Sequence, residues 1–240
     1  METYGIIGAM DVEVALWREA LAQRTDTAIG DRLFSEGFLG DARCVVVQCG
    51  VGMVNAAACT QALIDRFAVS CVINTGIAGS LDASIDIGDV VVATDAVNWV
   101  MDVQNLGYAA GQTPGLPQAA LVADARLREA ALKAACTAGA RAHEGRVASG
   151  DLFVRRDTDK SHIAETFGAR CCEMEGAAVA QVCTVNHVPF AIVRAISDKA
   201  DGSAAVDYPT FEAQAAHDCA ALTQAMVALL ATSAHATDHR

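Results

Sequence analysis

The stretch RCVVVQCGVGMVNAAACTQALIDRF, residues 43–67, contains the pattern that decides the fold. Its first part, RCVVVQCG (43–50), is an apolar run of the length and β-branched composition typical of a buried strand. Glycines follow, and then MVNAAACTQALIDRF (53–67), in which apolar residues recur at helical spacing. A strand, a glycine turn and a helix in this order predict one unit of an α/β fold.

The same alternation runs along the rest of the 240-residue chain. Further strands are predicted for the apolar runs at 5–9, 70–76, 89–97, 146–151, 171–175 and 190–197. Helices are predicted at about 12–21, 121–136, 160–168 and 176–185, and from Asp207 and Pro209 to about Thr232.

Strands 70–76 and 89–97 follow one another without room for a crossover helix, so the predicted sheet is mixed although mostly parallel. The expected fold class is therefore α/β, a three-layer α/β/α sandwich around a mixed central sheet. No linker or repeat divides the chain, which predicts a single domain over 1–240 with a frayed tail at about 233–240.

Composition excludes several classes of function. Hydrophobic residues make up 53% and charged residues 19% of the chain, which favours a large core and excludes global disorder. A net charge of -12 disfavours nucleic acid and anionic membranes as partners, but not a small molecule. No apolar run reaches membrane-spanning length, and the N-terminus lacks the pattern of a signal peptide.

The nine cysteines indicate a reducing compartment, so cytoplasmic localisation is expected. Their number is odd and no CxxC spacing occurs, which disfavours both a disulfide framework and a zinc site. The six histidines form no ligand cluster, and neither a metal nor another cofactor is expected.

Carboxylates follow several of the predicted strands. In open α/β folds, ligands bind at the carboxyl ends of the strands. The segments at those ends are 10–13, 50–52, 75–79, 150–154, 173–176 and 197–198, and they contain acids, glycines and an aromatic residue. They predict a small-molecule site rich in acids.

Two features of this acidic set raise specific questions. Glu173 and Glu175 would share one face of a strand, where like charges repel unless a site uses them. Arg194 lies within an apolar strand and needs an anionic partner, for which Glu13 or Glu175 is expected. A structural ion pair and a catalytic role are both open for Arg194 at this point.

A nucleotide cofactor is disfavoured. GVGMVN (50–55) begins like a dinucleotide-binding turn, but that motif needs a third small residue where Asn55 stands. It also needs an acid at the end of the next strand, where this chain has Asn74 and Thr75. The glycines fit tight turns and close packing equally well.

Several motifs in combination resemble the 5′-methylthioadenosine/S-adenosylhomocysteine nucleosidases of the nucleoside phosphorylase superfamily. They are GIIGAMDVEV (5–14), CGVGMVNAA (49–57), INTGIAGSLD (73–82), DVQNLGYAAGQTPG (102–115), SGDLFV (149–154), CEMEGAAVAQVC (172–183) and VPFAIVRAISDKAD (188–201). The resemblance implies a nucleoside phosphorylase-like fold, and an enzyme that hydrolyses an N-glycosidic bond to give adenine and a thioribose.

The resemblance also implies roles for individual residues. Glu13 would be the general base that activates water, and Asp198 the general acid at adenine N7, with a raised pKa. Glu175 would bind the ribose hydroxyls, and Arg194 would pair with the carboxylates around the water. The implied substrate-binding residues are Met10, Val51, Ile77, Gly79, Phe153, Val154, Met174, Ser197 and Tyr208, with Val103, Leu106 and Pro114 lent by a partner subunit, which implies a homodimer.

Two positions depart from the family pattern. Ile77 stands where better-known bacterial members carry a serine whose hydroxyl helps to order the acid or the water. Leu106 stands where an aromatic residue is common. The departure at Ile77 concerns the water network and the substrate preference rather than the main carboxylates.

Three alternatives stay open from the sequence. A purine nucleoside phosphorylase needs cationic donors for phosphate, whereas the segment MDVE (10–13) carries two acids and no arginine. An aminodeoxyfutalosine or futalosine nucleosidase differs only in the 5′ group or the base. A non-catalytic nucleoside-binding protein would not need both a base and an acid.

Overall fold

The computed structural model describes residues 2–199 and 204–237. Its strands are β1 Thr3–Gly8, β2 Ala22–Ile29, β3 Arg32–Leu39, β4 Ala42–Gln48, β5 Cys71–Ser80, β6 Val90–Asn98, β7 Ala120–Val122, β8 Ala142–Ser149, β9 Ala169–Glu173 and β10 Phe190–Asp198. Its helices are α1 Asp11–Ala20, α2 Met53–Phe67, α3 Ala125–Ala138, α4 Asp157–Phe167, α5 Gly176–Val185 and α6 Ala204–Thr237, with a 3₁₀ turn at Gln104–Leu106.

The described strands form one mixed sheet. β1 pairs in parallel with β4 and β5, and β2 and β3 extend the β4 edge as an antiparallel hairpin. On the other side, β5 pairs with both β10 and β9, and the pairings β10–β6, β6–β8 and β8–β9 close these five strands into a ring. The mixed sheet confirms the prediction, whereas the closure is a feature that the sequence pattern did not indicate.

Helices cover both faces of the sheet. Because side chains alternate along a strand, Ile7 of β1 points to one core and Ile6 to the other. Leu63 of α2 packs in the first core, and Trp17 of α1 packs in the second. Each such buried apolar side chain contributes roughly 1.5–3 kcal/mol. The predicted three-layer arrangement is confirmed.

The β2–β3 hairpin and the start of α6 differ from the sequence-based expectations. β2 reads AQRTDTAI and is exposed along nearly all of its length, so no apolar alternation marks it as a strand. Helix α6 begins at Ala204 rather than at Asp207 or Pro209, because the preceding alanines are good helix formers. It runs past the predicted end near Thr232, and residues 238–240 of the predicted tail lie outside the described residues.

Two further observations concern the helices. Gly168 ends α4 in the left-handed conformation with φ 65°, as its predicted C-terminal position requires. Among the described helices, none combines the length and apolar character needed to cross a membrane.

Candidate active site

Strand ends and the loops beside them converge on one cleft. It contains about 460 Å³ of empty space, part of which is open to solvent. Predicted residues that line it are Met10, Glu13, Val51, Ile77, Gly79, Phe153, Met174, Glu175, Ser197, Asp198 and Tyr208. Ala9, Ala78, Cys172 and Glu173 also line it and were not assigned to the site from the sequence.

Glu13 lies in the first turn of α1 and is fixed by backbone amides. Its Oε2 accepts hydrogen bonds from Ala9 N at 2.7 Å and Met10 N at 2.9 Å, and its Oε1 accepts one from Ile77 N at 3.1 Å. The side chain is buried, and burial raises its pKa although Arg194 and the three amides oppose the shift. The carboxyl group is therefore rigidly held and more basic than an exposed glutamate.

Ile77 contributes its backbone to this arrangement. Its amide reaches Glu13, while its side chain is 8% exposed and lines the cleft. The position that carries a serine hydroxyl in better-known relatives is therefore apolar here, but the backbone contact to the carboxylate is present.

Glu175 lies at the N-terminus of α5 and reaches across to the N-terminus of α2. Its Oε1 accepts a hydrogen bond from Gly52 N at 2.8 Å, where the dipole of α2 favours negative charge. Burial and then the neighbouring charge of Glu173 raise the pKa of Glu175 to about 8, against the opposing influence of Arg194 and Gly52. The protonated form of this carboxyl group is therefore favoured more than in an exposed glutamate.

Arg194 pairs with two carboxylates: Glu173 makes the shorter contact, and Glu175, one of the two expected partners, makes the longer one. The Arg194 Nη2 donates to Glu173 Oε2 and, at 2.6 Å, to Asn74 Oδ1. Glu175 Oε2 is 3.9 Å away from the same nitrogen. Arg194 is 1% exposed and lies beneath the cleft rather than among its lining residues.

Further donors surround the Glu173 carboxylate. It accepts hydrogen bonds from Gly176 N at 2.8 Å, from Glu175 N at 3.1 Å and from the Ser149 hydroxyl. The two glutamates do not share a strand face, because β9 ends at Glu173 and α5 begins at Gly176. Both carboxylates line the cleft, but the turn between them gives them different partners, Arg194 for Glu173 and the Gly52 amide for Glu175.

Asp198 ends β10 beside Gly79 of β5. The Ser197 hydroxyl donates to Asp198 Oδ1 at 3.0 Å, and Asp198 is 3% exposed. Gly79 is its partner in the parallel pairing, and a Cβ atom on Gly79 would lie 2.8 Å from Asp198 Oδ2. A glycine at this position is what permits the carboxylate to lie against the strand.

Aromatic and sulfur-containing side chains form the apolar part of the cleft. The ring centroids of Phe153 and Tyr208 are 5.2 Å apart in an edge-to-face arrangement, and the Tyr208 hydroxyl lies 3.5 Å from Met10 Sδ. Val154 lines a smaller adjoining cavity together with Gly79 and Asp198. A flat apolar ligand beside Asp198 fits these surroundings.

The three residues expected to serve a partner subunit do not line the cleft of their own chain. They are Val103, Leu106 and Pro114, and Leu106 is 66% exposed.

Comparison with known proteins places this geometry in a family. The model of the Phosphorylase superfamily matches residues 3–228, so the chain belongs to that superfamily. A 5′-methylthioadenosine/S-adenosylhomocysteine nucleosidase of Anoxybacillus flavithermus is 42% identical over 92% of this chain and 96% of its own length. Within the superfamily, the chain belongs to the 5′-methylthioadenosine/S-adenosylhomocysteine nucleosidases.

Solved structures of a nucleosidase and of a futalosine hydrolase share this fold. The nucleosidase of Neisseria meningitidis in complex with methylthio-immucillin-A superposes with a TM-score of 0.92 at 40% identity, covering 95% of this chain and 99% of that one. The futalosine hydrolase of Helicobacter pylori superposes with a TM-score of 0.89 at 30% identity, covering 94% of this chain and 97% of that one.

Proposed function

We propose that the protein hydrolyses the N-glycosidic bond of 5′-methylthioadenosine and S-adenosylhomocysteine, releasing adenine and the thio-substituted ribose. The observation that carries the proposal is that Glu13, Glu175 and Asp198 line one cleft whose remaining walls are largely apolar. The names of the relatives at about 40% identity support the same substrates.

The chemistry needs these carboxylates. Breaking the bond between ribose and adenine builds positive charge on the sugar, and carboxylates fixed around it stabilise that charge in the transition state. Because Glu13 is already held by backbone amides, it needs little reorganisation as the charge develops.

Asp198 is the proposed general acid. Adenine leaves as a weak base only after N7 is protonated, and a carboxyl group near the base must supply that proton. Asp198 adjoins the cavity lined by Val154 and also borders the cleft that holds Phe153. In the proposed complex the Val154 backbone reads the adenine edge, and Phe153 stacks on the ring.

Glu13 is the proposed general base. Its raised pKa brings the carboxylate closer to the basicity that removal of a proton from water requires near neutral pH. The amides of Ala9, Met10 and Ile77 leave its orientation little freedom. The water that it activates attacks the anomeric carbon on the face opposite to adenine.

Glu175 is the proposed ligand of the ribose hydroxyls, helped by the backbone of Met174. Arg194 acts through the carboxylates, since it lies beneath the cleft and holds Glu173. The side chains of Met10, Val51 and Tyr208 surround the alkylthio group, and Ile77, Gly79 and Ser197 complete the pocket.

We further propose a homodimer in which Val103, Leu106 and Pro114 complete the partner's cleft. The exposure of Leu106 and the apolar, glycine-bearing loop around it support this arrangement. The nine free thiols, most of them buried, support a reducing cytoplasm as the compartment.

A phosphorylase is the less favoured alternative. Among the described residues that line the cleft there is no Lys, Arg or His, whereas a phosphate co-substrate needs cationic donors. A futalosine-type hydrolase is a second candidate because a relative of that name has the same fold at 30% identity.

A substrate panel tests the proposal. Methylthioadenosine, S-adenosylhomocysteine, 5′-deoxyadenosine and aminodeoxyfutalosine are supplied separately, and release of the base is followed by chromatography. We expect kcat/KM to be highest for the first two substrates. A kcat/KM at least tenfold higher for aminodeoxyfutalosine would transfer the assignment to the futalosine-type hydrolases.

A further inference from the structure

A buried lysine lies behind the proposed general acid. Lys160 of α4 is 3% exposed, and its ammonium group donates a hydrogen bond to the backbone carbonyl of Lys199. Lys199 directly follows Asp198 in the chain. Because burial of an ammonium group is costly, a lysine in this position needs such a contact to offset the loss of water.

A second contact holds Lys199 from another side. Lys199 Nζ lies 2.5 Å from Asp86 Oδ1, in the turn that joins β5 to β6. That turn also binds β10 just before the acid, through Gly88 N to Ile196 O and Ile196 N to Asp89 O, both at 2.9 Å. Ile196 before Asp198 and Lys199 after it therefore both contact neighbouring parts of the fold.

Lys160 lies on the helix that follows one wall of the cleft. Helix α4 follows the loop that carries Phe153 and Val154. Burial raises the pKa of the Cys172 thiol to about 12, with Asp198 raising it further and Lys160 opposing the shift. The hydrogen bond to the carbonyl of Lys199 places the ammonium group on the side of the cleft where Asp198 stands.

We propose that Lys160 is a positioning residue for Asp198, acting by anchoring the peptide that follows the acid. This inference rests on the proposed function. The Lys160–Lys199 contact keeps the end of β10 in place, and with it the Asp198 carboxyl group at the distance from adenine N7 that proton transfer requires. A displacement of about 1 Å at such a group reduces the rate on the order of 10²-fold.

A pair of substrates separates positioning from a general structural effect. Methylthioadenosine needs an acid to release adenine, whereas a 4-nitrophenyl 5-methylthioriboside has a leaving group that departs without protonation. Lys160→Met is expected to lower kcat for methylthioadenosine about 10–100-fold with KM within about threefold of wild type. Its kcat for the nitrophenyl substrate is expected to stay within about threefold.

Matched variants complete the experiment. Lys160→Arg keeps a cationic donor and is expected to recover most of the lost turnover, and Lys133→Met, which removes an exposed lysine on α3, is expected to behave as wild type. Asp86→Asn removes the second anchor at an exposed position and is expected to lower methylthioadenosine turnover about two- to fivefold without affecting the nitrophenyl substrate.

The outcomes distinguish the two proposals. Wild-type protein that releases no adenine would overturn the proposed function and this inference together. Active wild type combined with an unchanged Lys160→Met variant, or with equal losses on both substrates, would overturn the inference alone. If Lys160→Met does not fold, the same substrate comparison on Lys160→Gln, which keeps an uncharged polar side chain at this position, decides, and equal changes in turnover of both substrates relative to wild type overturn the inference.

Discussion

Arg194 and Glu173 form an ion pair in which the two side chains are only 2% and 3% exposed to solvent. The pair lies beneath the cleft and fixes the end of β9, from which the chain turns into α5. Glu175, two residues further on, is left to face the cleft and to bind Gly52. The two glutamates of CEMEG thus have different partners, Arg194 for Glu173 and the Gly52 amide for Glu175, which supports the proposal that Glu175 is the one that contacts the ligand.

Removal of the Glu173 side chain tests whether its ion pair with Arg194 stabilises the fold. Glu173→Ala leaves the Arg194 guanidinium buried without its principal carboxylate, which typically costs about 3–5 kcal/mol. We expect a matching fall in the free energy of unfolding measured by urea denaturation. Glu175→Ala is the control, expected to cost much less stability while raising KM and lowering kcat. Equal free energies of unfolding for the two variants would contradict a structural role that is specific to Glu173.

Replacement of the acid tests its role in leaving-group protonation. Asp198→Asn preserves the size of the side chain, so the fold is expected to remain, as monitored by circular dichroism and thermal unfolding. Turnover of methylthioadenosine should fall about 10²–10⁴-fold because no proton reaches N7. Turnover of the nitrophenyl riboside should fall far less. Wild-type-like release of adenine by this variant would exclude Asp198 as the acid.

The pH dependence of stability tests the environment of Glu175. Burial and the charge of Glu173 raise the pKa of Glu175 from 4.5 to about 8. Between these two pH values the folded protein keeps the proton on Glu175, whereas the unfolded chain has lost it. This contribution to stability is fully present below pH 4.5 and is lost as the pH rises through about 8.

The matching experiment measures Tm from pH 5 to 8.5 for wild type and for Glu175→Gln, which cannot titrate. The wild-type Tm is expected to fall by a few degrees more than that of the variant across this interval. Parallel curves for the two proteins would mean that Glu175 titrates as an ordinary exposed glutamate.

Two glycines allow the acid and the base to be disturbed separately. A Cβ atom at Gly76 would collide with the Glu13 carboxylate, whereas one at Gly79 would lie 2.8 Å from Asp198 Oδ2. Gly76→Ala is therefore expected to reduce turnover of both methylthioadenosine and the nitrophenyl riboside, because both substrates need the activated water. Gly79→Ala should reduce turnover of methylthioadenosine more than turnover of the nitrophenyl riboside, because only the former needs the acid. The same substrate ratio in both variants would argue against separate roles.

The proposed dimer is tested at Leu106. Leu106→Asp places a charge where the partner's cleft is expected, so we predict a lower mass by light scattering and at least a tenfold loss of kcat/KM. Val122→Asp is the matched control because Val122 is 62% exposed on β7, compared with 66% for Leu106. A dimeric, fully active Leu106→Asp protein would overturn this part of the proposal.

The sequence predicted most of the architecture because its apolar periodicity was strong. The helix expected at 53–67 is α2, Met53–Phe67, and the apolar runs became the central strands. The β2–β3 hairpin was not predicted because β2 is polar and exposed, so its sequence has no apolar alternation that would indicate a strand. The ring closure of the sheet depends on β5 pairing with both β9 and β10, which no local pattern encodes.

The residues of the site were likewise predicted only in part. Glu13, Glu175 and Asp198 were predicted from motifs, and the structure brings them to one cleft. The expected ion pair of Arg194 with Glu175 is present at 3.9 Å, whereas the shorter one with Glu173 was not predicted, because it depends on where β9 ends and the chain turns into α5. Lys160 carried no sequence signal, since its contact is with the backbone of a residue distant in the chain.

The most direct test of the central claim is the fate of methylthioadenosine in phosphate-free buffer. Hydrolysis predicts stoichiometric release of adenine and free methylthioribose, at a rate that added phosphate does not increase. Formation of methylthioribose 1-phosphate, or turnover that appears only when phosphate is supplied, would contradict the proposal that Glu13 activates water in this cleft.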